Sequence, residues 1–273
     1  MPCSDEPLVT AQPDEALVRL VGQRFEAFAL PFLDDQGDGF AYTLKMAHTK
    51  RVLGLAETIC AEEALPREVA LAARLGAQLH DVGRFPQYRQ YRTFRDADSA
   101  NHAALSVAHI LREKLLGGVP ARIRRLTLGA VYLHNKRSLP PIASSALRDA
   151  ARVVRDSDKL DIYSVMIAHF AQKNPKHPEV ALNVVDAPDT YTPSVLDALC
   201  RRERGDYRTI VYINDFKLMT IGWLYDMNFR ASCRLLKERG YLETLFATLP
   251  RDEKIDGFHA QINTDLAQRL DHA

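Results

Sequence analysis

His80 and Asp81 stand side by side in the run Leu79-His80-Asp81-Val82-Gly83-Arg84, at the predicted end of a helix. A neutral imidazole nitrogen and a carboxylate oxygen placed there can both reach one cation. His48 before the pair and Asp158 after it could complete the shell. Nitrogen and oxygen ligands in this mixture suit Mn, Fe, Zn, Ni or Co. Gly83 follows closely and is expected to let the helix stop and the chain turn sharply. His102 and His134 extend the set. The spacing His48-x31-His80-Asp81-x20-His102-x31-His134-x23-Asp158 places these groups on successive predicted helices. Inward-pointing ligands from several packed helices are how helical bundles build metal sites. Any one of these histidines alone reads as a surface or satisfied core residue; only the joint pattern points to a metal.

The elements that must carry these groups are helical. Residues 13–31 open on Pro13 and Asp14, then place Leu17, Leu20, Val21, Phe25 and Phe28 at helical spacing. Helices are predicted over 41–63, carrying His48, from Pro66 to about His80, over 99–116, from Pro120 to His134, and from Pro140-Pro141 through Asp158 towards Phe170. Asp98 and Ser99 are expected to cap the His102 helix. Residues 34–39 (DDQGDG) read as a turn and lack the glutamate of a calcium loop. Residues 82–98 show no clean period and read as a loop over a pocket. Residues 174–193 contain four prolines and read as an irregular crossover, followed by helical regions over 215–249 and 257–270. The simplest account is an all-α single-domain bundle: a flexible stretch over 1–12, one domain over 13–273, its motif region at 41–170 and its C-terminal helices at 194–270.

Composition narrows the function classes. A formal net charge of +1 provides no global field for a nucleic acid or a charged membrane surface, so no stable nucleic-acid partner is expected. No apolar run is long enough to span a membrane. Cys3, Cys60, Cys200 and Cys233 form no CxxC pair, which fits reduced thiols and a cytoplasmic location. The acidic N-terminus is unlike a secretory signal. A homodimer is compatible with the sequence, which identifies no face for it.

The phrases HTKRV at His48, HDVGRF at His80 and RDSDKLD at Asp158 resemble the HD superfamily of metal-dependent phosphohydrolases. The likeness covers roughly His48 to Asp161 and implies an all-helical fold. It implies that His48, His80, Asp81 and Asp158 hold a metal. Members with two metals add two histidines between the HD pair and the last aspartate, the role that His102 and His134 would fill, with Asp81 between the ions. The implied cofactor is one or two divalent ions, Fe or Mn first, with Ni, Co, Zn or Mg as alternatives. The implied reaction is hydrolysis of a small phosphorylated substrate, a phosphate mono- or diester such as a nucleotide. The alternatives are a di-iron oxygenase on the same ligands, or a signalling module that keeps the fold without catalysis. Asn135 is followed by Lys-Arg-Ser-Leu-Pro-Pro, so the GYP phrase of the cyclic dinucleotide phosphodiesterases is absent.

Further expectations concern the surroundings of these ligands. Asp81, Lys159 and Arg84 are the candidate catalytic residues, the two cations serving to bind phosphate oxygens. Asp161, near Asp158 on the same helix, could orient a ligating histidine. Gln87, Tyr88, Arg89, Tyr91, Arg92 and Arg95 either contact the substrate or form a solvated loop. His109 is expected in the core or behind the ligands. His169, His177, His259 and His272 are expected to be structural or solvated. Trp223, Tyr225, Met227 and Phe229 are expected to pack in the core.

Overall fold

The computed structural model describes residues 13–34, 39–171 and 184–271. It is all-α. Among the described residues the only β pairing is an isolated bridge between Val185 and Tyr212. The first helix, α1 (Pro13–Leu33), is followed by α2 (Gly39–Glu62), α3 (Arg67–Leu79), α4 (Arg84–Tyr91), α5 (His102–Arg112), α6 (Ala121–Leu133) and α7 (Ser145–Phe170). The C-terminal part adds α8 (Pro193–Cys200), α9 (Ile213–Gly222), α10 (Arg230–Glu238), α11 (Tyr241–Phe246) and α12 (Glu253–Asp271). Among the described residues no helix is long and apolar enough to cross a membrane.

Helix α3 is the centre of the bundle and packs on α1, α2, α6 and α7. Its sequence explains why: nearly every residue from Leu71 to Leu79 is buried, and small ones recur at Ala72, Ala73, Gly76 and Ala77. At Gly76 a Cβ would lie 2.9 Å from Val154 Cγ2, so α7 approaches where α3 has no side chain. Close approach brings the ends of α3 and α6 beside the middles of the two long helices α2 and α7.

Residues 82–98 are not the loop expected. Arg84–Tyr91 form helix α4 and Asp96–Asp98 a 3-10 turn. Phe85 holds α4 down by packing edge-on against Phe25 and Phe32, at 5.8 and 5.6 Å between ring centroids, and stacking with Tyr42 at 6.0 Å. One apolar residue in a large aromatic cluster leaves no period to read. Gly83 is also used differently: its φ of −66° is ordinary helical backbone. A Cβ there would lie 2.4 Å from the His102 carbonyl oxygen and 2.5 Å from the Ser106 amide nitrogen, so the glycine makes room for α5. Helix α5 starts at His102 and is capped by Asn101, whose side chain accepts from the Ala104 amide; neither Asp98 nor Ser99 is its cap.

The helical region expected over 215–249 is divided into α9, a 3-10 turn at Trp223–Asp226, α10 and α11. Met227 is buried in the core, whereas Trp223, Tyr225 and Phe229 are half-buried at its edge. His109 is half-buried against the Phe28 ring. His169 is buried, and His259 pairs with Glu243. His177, His272, Cys3, residues 35–38 of the expected turn and residues 174–183 of the crossover lie outside the described residues.

Candidate metal centre

Six side chains converge between the helices. His48 comes from the middle of α2 and Asp158 from the middle of α7. His80 and His134 stand at the C-terminal ends of α3 and α6, and Asp81 follows His80. His102 opens α5. All but Asp158 are at most 5% exposed. Three overlapping groups each bring one ligand atom per residue within 4.8 Å: His48, His80 and Asp81; His80, His134 and Asp158; Asp81, His102 and His134.

The histidine rings are oriented from behind. His80 and His134 use one device twice: each Nδ1 lies against the carbonyl oxygen three residues back, Ala77 at 2.9 Å and Val131 at 2.7 Å. A carbonyl only accepts, so the proton sits on Nδ1 and the Nε2 lone pair faces the cluster. His48 Nδ1 meets Asp161 Oδ2 at 2.7 Å, and Arg51 grips Asp161 with two bonds. His102 Nδ1 meets Asp96 Oδ2 at 2.7 Å. Four Nε2 lone pairs therefore point inward. His48 and His80 face each other at 3.2 Å, and His102 and His134 at 2.9 Å. Acceptors that close repel unless a positive charge lies among them.

Asp81 supplies both halves of the cluster. Its Oδ2 is 3.6 Å from Nε2 of His48 and of His80, while Oδ1 is 3.6 Å from His102 and 3.9 Å from His134. Asp158 Oδ1 lies 3.1 Å from His48 and 3.6 Å from His80. Burial works against the Asp81 carboxylate, but Lys45, His80 and Arg84 outweigh it and hold the group well below the usual range. Burial likewise opposes Asp158, and its bonds with His48 and His80 keep it well below. Burial pushes His134 well below the ordinary histidine value. Burial and the nearby Arg84 lower His102. At His80 burial is overcome by Asp81 and Asp158, which raise it and so favour positive charge at this nitrogen. Ionised carboxylates and inward lone pairs form a donor set that fits a divalent cation.

Residues 46–163 match the family model described as the HD domain. The chain carries an HD domain. HD domains bind divalent metals and characterise a superfamily of metal-dependent phosphohydrolases. No curated protein and no solved structure matches the chain. The HD domain begins within α2 and ends within α7, and it contains all six converging side chains.

Several partners of the cluster were not anticipated from the sequence. Lys45 donates to Asp81 Oδ2 at 2.7 Å from one turn before His48 on α2, a spacing that could have signalled it. Arg51, one turn after His48, could have been found in the same way. Asp96 has no such signal; it reaches His102 from the turn after α4 and also accepts from Gln87 and Asn135. Arg84 leans on Asp81 Oδ1 at 3.5 Å and bonds Asp96 and the Phe94 carbonyl. Lys159 forms its ion pair with Asp226, at 2.8 Å; burial lowers its pKa, against the pull of the Asp226 and Asp156 charges. Arg155 donates to the His134 carbonyl at 3.0 Å and to Asp226 at 2.7 Å, which fixes the end of α6. The remaining residues singled out in 82–98 do other work. Gln87 is buried and braces Asp96, Tyr88 is buried against Phe94, Arg89 lies 3.9 Å over the Phe32 ring and Arg95 pairs with Asp98. Tyr91 is exposed, and the Arg92 guanidinium lies 6.0 Å from the Tyr88 ring centre.

A cavity of about 490 Å³ opens onto this centre, with His134 and Asp158 in its lining. Its far wall comes from beyond the HD domain and includes Arg204, Asp206, Met219, Trp223 and Asp226.

Proposed function

We propose that the protein is a metal-dependent phosphohydrolase that holds two divalent ions and cleaves a small phosphate mono- or diester with water. The observation that carries this reading is the convergence of four histidine Nε2 atoms and two carboxylates, buried Asp81 and half-buried Asp158, beside a cavity lined with cations. His48, His80, Asp81 and Asp158 would hold one ion. His102, His134 and the other oxygen of Asp81 would hold the second. Divalent ions supply Lewis acidity and a deprotonated water near neutral pH.

The chain's own groups do the rest. Asp161 and Asp96 keep the His48 and His102 rings turned inward. Lys45 and Arg84, which lean on Asp81, can turn to phosphoryl oxygens once other charge satisfies that carboxylate. Lys159 adds a cation next to Asp158, held in place by Asp226. The HD domain gives the family, and the cavity's cations favour an anionic substrate.

The test is hydrolysis of p-nitrophenyl phosphate and bis(p-nitrophenyl) phosphate by the Mn- or Fe-loaded protein, with Asp81→Ala as control. Turnover at least about 100-fold above the variant is expected. Loaded protein that leaves both esters intact would refute hydrolysis of these ester classes. Oxygen uptake by its reduced iron form would then indicate oxygenase chemistry, and ligand binding without either activity a signalling module.

A further inference from the structure

We infer that the cavity holds a second anionic group of the substrate, at a rim formed by Lys136, Arg137, Arg204 and Arg208, none of which is a candidate metal ligand. This rests on the phosphohydrolase reading for the scissile phosphate and goes beyond it in naming what else the substrate carries.

The charges lining the cavity do not balance. Besides Asp158, only Asp206 and Asp226 offset six lysine and arginine side chains there. Asp226 alone faces Arg155 at 2.7 Å, Lys159 at 2.8 Å and Arg204 at 2.8 Å. Asp206 is gripped by Arg208 with several bonds and approached by Arg137 at 3.9 Å. The Lys136 ammonium lies 4.7 Å from the centre of the Tyr132 ring. Excess positive charge on the walls of a cleft focuses its field and concentrates anions there.

The rim is also built. Arg137 donates to the Arg204 carbonyl at 3.0 Å, and Arg204 donates to the Arg137 carbonyl at 3.1 Å. This reciprocal clasp holds two guanidinium groups on neighbouring segments despite their like charge. Gly205 permits it by lying directly on Met219, where a Cβ would fall 1.7 Å from the sulfur. Arginine forks side by side suit the oxygens of a phosphate or carboxylate. Ile162, Met219 and Trp223 line the same cavity and provide an apolar wall. The occupant is therefore a phosphate ester with a flat or apolar segment and a second phosphate or carboxylate.

Trp223 is the chain's only tryptophan and lines the cavity, so its fluorescence reports on this site. In the full-length, metal-loaded protein, iodide should quench Trp223 about fivefold more effectively than caesium at low salt, each normalised to free tryptophan. 1,6-Hexanediol bisphosphate should protect against iodide at about tenfold lower concentration than hexyl phosphate. 6-Phosphohexanoate shows whether a carboxylate serves equally well at the rim. Lys136→Gln combined with Arg204→Gln should remove both preferences. Lys136→Gln combined with Arg208→Gln, which spares the Asp226 cluster, should reduce them if the first variant fails to fold. Equal quenching by the two ions, equal or absent protection by the hexyl compounds, or preferences that survive folded variants would overturn the inference. Loss of ester hydrolysis with these preferences intact would instead refute the phosphohydrolase reading alone.

Discussion

At the scale of single residues, each converging histidine ring is held by the group behind it. Asp161 binds His48 Nδ1 on one side and Arg51 on the other, so Asp161→Ala frees the ring to rotate and lowers metal affinity by about 10- to 100-fold. Competition with a fluorescent chelator measures this, and wild-type affinity in the variant would show that Asp161 does not orient the ligand. Lys45 has a different role, because it contacts the carboxylate shared by both halves of the cluster. Lys45→Met is expected to retain metal at the wild-type level while turnover falls roughly 100-fold. Loss of metal in that variant would make Lys45 a structural support. The six converging residues were legible in the sequence because their types and order are unusual together. Asp96 and Asp226 were not legible. Asp96 works through a turn after an unanticipated helix, and Asp226 meets Arg155 from 71 positions away, where no local period points to either.

At the scale of elements, long helices were legible and short ones were not. Helices α1, α2, α3, α6 and α7 carry apolar residues in repeated turns, and Pro66 and Pro120 mark the starts of α3 and α6. Helix α4 offers one fully buried anchor, Phe85, and its polar residues serve the cluster, so its sequence reads as a loop. The break between α9 and α10 falls in an apolar stretch whose edge residues line a cavity, which periodicity alone cannot separate from core. The joint between α4 and α5 is a tight backbone contact. Gly83 donates to Ser106 Oγ at 2.8 Å, and that hydroxyl donates to the His80 carbonyl at 2.6 Å. Gly83→Ala pushes a methyl into the α5 backbone and is expected to cost about 3 kcal/mol or more. Denaturant melts measure this; a loss below about 1 kcal/mol would show that α5 moves aside easily.

At the scale of the whole molecule, the C-terminal part completes what the HD domain begins. Asp226 ties the end of α6, the Asp158-bearing α7 and the Arg204 segment into one cluster. Burial pushes its carboxyl up, but Lys159 and Arg155 outweigh this and hold it below the usual value. A carboxyl depressed in the folded state stabilises fully above its unfolded pKa and loses that contribution as pH falls through its folded value. The Asp226 contribution is therefore complete at neutrality and fades below about pH 4. Asp226→Asn leaves buried Arg155 and half-buried Lys159 short of a partner, should cost about 3–5 kcal/mol at pH 7 and should flatten the acid limb of stability. Urea melts across pH check both; a variant with wild-type stability at pH 7 would contradict the role given to Asp226. Metal content per chain is the direct test of the two-ion centre. Elemental analysis of protein purified without chelator is expected to give two equivalents of a divalent transition metal. His134→Ala should give one, because it removes a ligand of the second ion and spares His48, His80, Asp81 and Asp158. No metal in the wild-type protein after reconstitution, or two equivalents persisting in His134→Ala, would rule out the two-ion centre with His134 in its shell.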